Sequence, residues 1–212
     1  MVSNKCIILD LDETLVHTRE DIQELYSLDV MNNKNLIPYR QSIYNFCLYD
    51  LDGKRGSSET CMWGTKRPHV DSFISFCFAN FSKVCVWTAG TADYAEEIVN
   101  ALFKSNYRMP DVVWSRNDCQ SGGGILFKPI TKMAASYPFI TLENSIIIDD
   151  RRTTFRANVE NGILIPPYQP LTIGESFSDD KLPYLMKWIS ESGVLTTNDV
   201  RTIPKTGIFP YF

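Results

Sequence analysis

The chain has 212 residues, enough for one α/β domain of ordinary size with a sizeable core. Its 44% hydrophobic and 22% charged residues are those of a globular protein and exclude disordered or fibrous classes. A net charge of -4, from 21 Lys and Arg against 25 Asp and Glu, gives no general attraction for nucleic acid or anionic membrane, and no apolar run approaches the roughly 20 residues that span a bilayer.

Lys5 to Asp10 is a short apolar run closing in carboxylates, the pattern of a strand buried in a parallel sheet with chemistry at its C-terminal end. From Thr18 to Lys66 the regular pattern breaks. Ser42 to Tyr49 alternates loosely, residues 50–58 read as a turn and Glu59 to Trp63 returns, which predicts a β-hairpin insert at about residues 37–65. After Pro68, apolar residues at Val70, Phe73, Ile74 and Cys77 predict a helix over His69 to Asn80, and Lys83 to Thr88 reads as a second buried strand. Beyond Gly90, Tyr94, Ile98, Ala101 and Leu102 share one face of a helix over Thr91 to Lys104. Val112 to Ser115 is a further strand, Thr131 to Tyr137 a shorter helix, Ser145 to Asp149 a third buried strand and Ile163 to Ile165 another. Ser178 is placed as the N-cap of a helix over Asp179 to Ser190, whose apolar face is Leu182, Leu185, Met186 and Ile189. Alternating strands and helices predict a Rossmann-like α/β fold with a central parallel sheet, one domain over residues 1–212. The six cysteines, at positions 6, 47, 61, 77, 85 and 119, show no CxxC pairing and several lie in apolar runs, so the expected home is a reducing, intracellular compartment.

Three strand ends carry the chemistry. Asp10-Leu11-Asp12-Glu13-Thr14, a DxDxT pattern, closes the first run, and a turn there aims two carboxylates at one small space. Phosphoryl transfer needs an in-line nucleophile, a proton donor for the leaving oxygen and cations around the phosphate, and Asp10 and Asp12 suit the first two roles. Carboxylates cannot approach a phosphate dianion unaided, so a hard cation is required, and Mg2+ held by oxygen ligands is the natural choice. Asp149 and Asp150 supply further carboxylates from the third run; Lys128 follows the glycine run at 122–124 and places a positive charge beside the phosphate. Thr88 and Thr14 offer hydroxyl donors to phosphate oxygens. Taken singly, an acidic pair after a strand is more often a turn or cap, and a lone Lys or Thr a solvated or capping residue. His17 and His69 are read as structural, and Trp63, Trp87, Trp114 and Trp188 as packing residues rather than a platform for bases.

The segments DLDETLVHT, KRPHVDSF, VWTAGTADYAE, the Lys128 region and IIIDDR resemble the haloacid dehalogenase (HAD) superfamily, and within it the small C-terminal-domain phosphatases of the FCP/SCP group. The likeness runs from about Cys6 to about Ile189. It implies a HAD core in which Asp10 becomes an aspartyl-phosphate and Asp12 acts as general acid and then base. It further implies Mg2+ held by Asp10, the backbone carbonyl of Asp12 and the acidic pair Asp149-Asp150, where the family commonly has Asp-Asn. Thr88 and Lys128 match the family's phosphate-binding residues, and Tyr94 and Arg116 match positions that contact the phosphopeptide.

Between Thr88 and Lys128 there are only about 40 residues, too few for a large cap domain beside a helix and a strand. An uncapped site suits a phosphorylated side chain in an extended peptide, and the resemblance points to RNA polymerase II C-terminal-repeat-like phosphoserine peptides, on which the family uses an apolar pocket of the insert. In this chain the insert offers Ile37, Tyr39, Ile43, Phe46 and Leu48. The expected compartment is nuclear or cytoplasmic, with a phosphoprotein partner and no nucleic acid or membrane. Two other readings stand beside this one: a phosphatase for small molecules or nucleic-acid ends, and a phosphoprotein-binding pseudophosphatase.

Overall fold

The computed structural model describes residues 2–49, 59–104, 108–172 and 178–210. In chain order its elements are β1 (Ser3–Leu9), β2 (Val16–Arg19), α1 (Ile22–Ser27), β3 (Ile43–Tyr49), β4 (Glu59–Lys66), α2 (Val70–Asn80), β5 (Phe81–Trp87) and α3 (Ala92–Phe103). There follow β6 (Val112–Trp114), β7 (Gln120–Gly122), β8 (Ile125–Phe127), α4 (Ile130–Ser136), β9 (Ser145–Asp149), β10 (Gly162–Leu164) and α5 (Lys181–Glu191).

Five of the strands form a parallel sheet in the order β10-β9-β1-β5-β6. Because successive side chains of a strand face opposite sides, each central strand feeds two cores. Ile7 and Leu9, Val84 and Val86, and Ile146 and Ile148 point to one face, where they meet Phe73 and Ile74 of α2, Ile98 and Leu102 of α3, and Leu182 and Leu185 of α5. Cys6 and Ile8, Cys85 and Trp87, and Ile147 point to the other, against Ile130 and Met133 of α4. This is why these runs carry no polar alternation: both faces are dry. The chain leaves β1 toward β5 and β6, then returns to β9 and β10 on the opposite side, so the order reverses beside β1 and a crevice opens at the C-terminal strand ends.

The insert is a separate antiparallel sheet in the order β2-β4-β3. The expected hairpin is present as β3 and β4, while its turn, residues 50–58, lies outside the described residues. Strand β2 was not legible, since its four residues show no alternation and become a strand only through pairing, Val16 opposite Lys66 and Arg19 opposite Trp63. Helix α1 was missed too: it has six residues, none buried, and depends on Asp21 accepting from the Gln23 and Glu24 amides. A second small hairpin, β7 and β8, turns through Gly123 and Gly124, both at positive φ.

Two expectations need correction. The last helix starts at Lys181 rather than Asp179, and Ser178 does not cap it; the Asp179 carboxylate, tied to Arg67, accepts from the Lys181 amide instead. The cysteines do not all remain free. Cys47 and Cys61 are cross-strand neighbours in β3 and β4 and form a disulfide, so cysteine usage no longer argues for a reducing compartment. Among the described residues, no helix is long and apolar enough to cross a membrane.

Candidate active site

The turn after β1 is drawn tight by Leu11, whose carbonyl accepts from the amides of Thr14, Leu15 and Val16. Leu11 and Leu15 are plugged into the core. Asp10 and Asp12, either side of Leu11, both border one cavity of about 790 Å³ at the strand ends. Glu13, next in the turn, takes φ +59, and its carboxylate holds His17 Nδ1 at 2.9 Å, a structural role for that histidine.

Lys128 is a buried lining residue of the cavity. It is 2% exposed, and its ammonium donates to Asp10 Oδ1 at 2.6 Å and to Asp149 Oδ2 at 2.7 Å. Burial opposes its charge, but the two carboxylates outweigh it and hold its pKa above the ordinary lysine range. Burial pushes the Asp10 carboxyl well above its usual value, and Lys128 pulls the other way. Burial also raises Asp12, against the hydrogen bond from Tyr94. Asp150 is pushed up to about 6, first by burial and then by the charge of Asp149.

Thr88 directly follows β5 at the cavity wall, with its hydroxyl oxygen accepting from the Gly90 amide at 2.9 Å. That occupies an acceptor lone pair and leaves the hydroxyl hydrogen for a ligand oxygen. Glycine is required at position 90, because a Cβ there would lie 2.6 Å from the Tyr94 ring. Arg116 is exposed at the rim, its Nε donating to Ala89 O.

Asp10, Asp12, Thr88, Arg116, Lys128, Asp149 and Asp150 therefore share one cavity. Two expected site residues do not border it. Thr14 is fully buried, with its hydroxyl 3.5 Å from Asp10 Oδ2, behind the carboxylate it was expected to accompany on the phosphate. Tyr94 is 8% exposed and turns its hydroxyl inward onto Asp12. The cavity also has walls that the sequence did not announce: Ile125, Leu126 and Phe127 of β8, Arg151 and Gln169. Arg151 adjoins the Asp149-Asp150 pair and could have been read from it; Gln169 stands alone in a loop and carried no signal. Among the described residues, Ile37, Tyr39, Ile43, Phe46 and Leu48 of the insert do not border the cavity; Ile37 faces solvent, and Leu48 is buried.

Five carboxylates, Asp10, Asp12, Glu13, Asp149 and Asp150, face three cations, Arg116, Lys128 and Arg151. A phosphate dianion adds to the negative side, so further positive charge is needed. The residues fit a hard metal ion. Oxygens of Asp10, Asp149 and Asp150 lie within 4.8 Å of one another, and Asp150 Oδ1 is buried with no hydrogen-bond partner among the described residues. Both oxygens of Asp149 are engaged, by Lys128 and by the Arg151 amide. An all-oxygen donor set suits Mg2+.

A family model, NLI interacting factor-like phosphatase, matches residues 5–201. Protein 037R of Frog virus 3, an uncharacterized protein, is 34% identical over 187 residues, covering 76% of this chain and 84% of that one. The putative CTD phosphatase-like protein 355R of Invertebrate iridescent virus 3 is 26% identical, covering 77% and 84%. A probable C-terminal domain small phosphatase of Dictyostelium discoideum is 26% identical over 85% of this chain, which spans only 46% of that longer protein. Among solved structures, Fcp1, an essential RNA polymerase II CTD phosphatase, superposes with a TM-score of 0.70 at 18% identity, over 93% of this chain and 68% of that one. A fission yeast Fcp1 variant bound to beryllium fluoride gives 0.63 at 22% identity, over 86% and 49%. Those structures share the α/β core with its parallel sheet.

Proposed function

The chain belongs to the NLI interacting factor-like phosphatase family, and we propose that it hydrolyses phosphoserine or phosphothreonine in proteins through a phosphorylated Asp10, with Mg2+ as cofactor. The observation that carries this reading is Lys128, buried between Asp10 and Asp149 in the lining of the cavity that Asp12 also borders.

The Lys128 ammonium, 2.6 Å from Asp10 Oδ1, favours the carboxylate form of Asp10 against the burial that raises its pKa, and in that form Asp10 attacks phosphorus while the bond to the ester oxygen breaks. Asp12 gives its proton to that leaving oxygen, then takes a proton from the water that attacks the phosphorylated Asp10, restoring the enzyme and releasing phosphate. The Thr88 hydroxyl and the Lys128 ammonium hold the transferring oxygens. Asp10, Asp150 through its unpartnered oxygen, and the Asp12 carbonyl would hold Mg2+, which when bound supplies the charge that offsets the crowded carboxylates and the phosphate.

Access supports a protein substrate. Between Thr88 and Lys128 the described residues form α3, β6, β7 and β8, with no cap domain over the cavity. A phosphorylated residue in an extended segment of a nuclear or cytoplasmic protein can enter such a site. Since Fcp1 acts on the RNA polymerase II tail, a phosphoserine heptad from that tail is the peptide to try first. The test is phosphate release with Mg2+ or with EDTA, comparing wild type with Asp10→Asn on that peptide, p-nitrophenyl phosphate, a sugar phosphate and a 3′-phosphorylated oligonucleotide. Release should require both metal and Asp10 and favour the peptide about tenfold. Preference for the sugar or oligonucleotide would overturn the substrate class, and tight phosphopeptide binding without release would make the chain a binding module.

A further inference from the structure

The catalytic turn does not hold Asp12 alone. Tyr94 of α3 donates its hydroxyl hydrogen to Asp12 Oδ1. The Tyr94 hydroxyl oxygen lies 2.5 Å from Thr18 Oγ1 on β2, which lies 2.8 Å from the Tyr44 hydroxyl on β3. Each hydroxyl has one hydrogen to give. With the hydrogen of Tyr94 given to Asp12, Thr18 must donate to Tyr94, and Tyr44 in turn must donate to Thr18. The three bonds form a chain of one direction, each polarising the next, and it ends on Asp12. The insert sheet is built to admit it: a Cβ at Gly64 would lie 2.5 Å from the Tyr44 hydroxyl oxygen, so glycine keeps open the space through which Tyr44 reaches Thr18. Phe46 of β3 sets its ring edgewise to Tyr94 at 5.8 Å and fixes the direction of the phenol.

We propose that Tyr94, Thr18 and Tyr44 are positioning residues that connect the insert sheet to Asp12 and select which of its oxygens carries the proton. Oδ1 is taken as the acceptor of the Tyr94 hydrogen bond, so the proton rides on Oδ2. This inference rests on the phosphatase reading above. As Asp10 forms its bond to phosphorus, the electron pair of the breaking bond goes to the ester oxygen, which takes the proton from Oδ2. Asp12 becomes a carboxylate in that step, and the hydrogen bond from Tyr94 turns from neutral to charge-assisted. It strengthens in the transition state, which is the condition for a contact to raise the rate.

The consequence is a dependence on the leaving group. Phenyl phosphate and p-nitrophenyl phosphate are similar in shape and lack peptide contacts, but phenolate needs the proton more than p-nitrophenolate does. The quantity to measure is kcat/KM, which reports events up to formation of phosphorylated Asp10. Tyr94→Phe, Thr18→Val and Tyr44→Phe each remove a hydroxyl and keep the packing, and their thermal midpoints check the fold. Tyr94→Phe should raise the p-nitrophenyl to phenyl ratio of kcat/KM about tenfold, Thr18→Val and Tyr44→Phe successively less. In an Asp12→Asn background Tyr94→Phe should leave the ratio where Asp12→Asn alone puts it, because the two residues act as one unit.

If Asp12→Asn shifts the ratio and both Tyr94→Phe and Thr18→Val leave it at the wild-type value, the positioning chain is overturned and the acid assignment stands. A further shift by Tyr94→Phe on top of Asp12→Asn also overturns it. If Asp12→Asn treats both esters alike, the acid role of Asp12 falls, and the chain falls with it.

Discussion

Lys128 is the cation between two buried carboxylates and cannot be removed without leaving them facing each other unpaired. With an ammonium 2.6 Å from Asp10 and 2.7 Å from Asp149, all three groups nearly without solvent, the interaction is worth more as a constraint than as net stability. Lys128→Met strands two facing carboxylates, so unfolding in urea should show a loss of about 3–5 kcal/mol together with loss of turnover. An unchanged midpoint would mean that the two carboxylates find another partner. Asp150 differs from Asp149 in one respect that matters: Asp149 has both oxygens committed, whereas Asp150 Oδ1 is buried and unpartnered. Asp150→Ala, which removes the ligand oxygen where Asn would keep one, should therefore raise the Mg2+ concentration for half-maximal activity about tenfold or more, read by titrating activity with metal. Equal half-saturation would exclude Asp150 as a direct ligand.

Among the elements, the insert sheet depends on close backbone approach and one covalent clip. Gly64 of β4 faces His17 O, which a Cβ would meet at 2.3 Å, and a carbonyl in a paired strand cannot yield as a flexible side chain would. Gly64→Ala should cost about 1–3 kcal/mol, measured by chemical denaturation, and should disturb Tyr44 as well. The Cys47–Cys61 disulfide joins β3 and β4 across a sequence separation of 14. By chain entropy, a loop of that size is stabilised by about 3 kcal/mol, so Cys61→Ser or a reductant should lower the urea midpoint correspondingly. If reductant has no effect on the wild type, the pair exists as thiols in solution.

Across the whole molecule, Arg67 ties distant segments to the catalytic turn. It is almost fully buried at the end of β4, donates to Thr14 O at 3.0 Å and Pro166 O at 2.8 Å, grips both oxygens of Asp179, and stacks over Tyr168. The planar fork of arginine is what lets one side chain reach four acceptors. Arg67→Lys keeps the charge and loses most of these bonds; a stability loss of about 3 kcal/mol or more is expected by denaturation. Retention of full stability would show that the carbonyls are satisfied otherwise.

The three buried strands, the main helices and the cluster Asp10, Asp12, Thr88, Lys128, Asp149 and Asp150 were legible from the chain alone. A strand dry on both faces must be a continuous apolar run, and polar residues that close such runs meet at one edge of the sheet. What the chain could not announce depended on partners far away in sequence. The strand character of β2 comes from β4, the Cys47–Cys61 pairing from hairpin register, and the start of the last helix from the grip of Arg67 on Asp179. The same is true of Tyr94: its helical face predicted a buried ring and the family likeness a peptide contact, but its hydroxyl is directed at Asp12 only because α3 packs beside the insert sheet. Local pattern determines which residues are dry and which groups end the strands; tertiary packing alone decides what each hydrogen bond finds, because a bond only a few ångströms long is set by elements that meet from opposite ends of the chain.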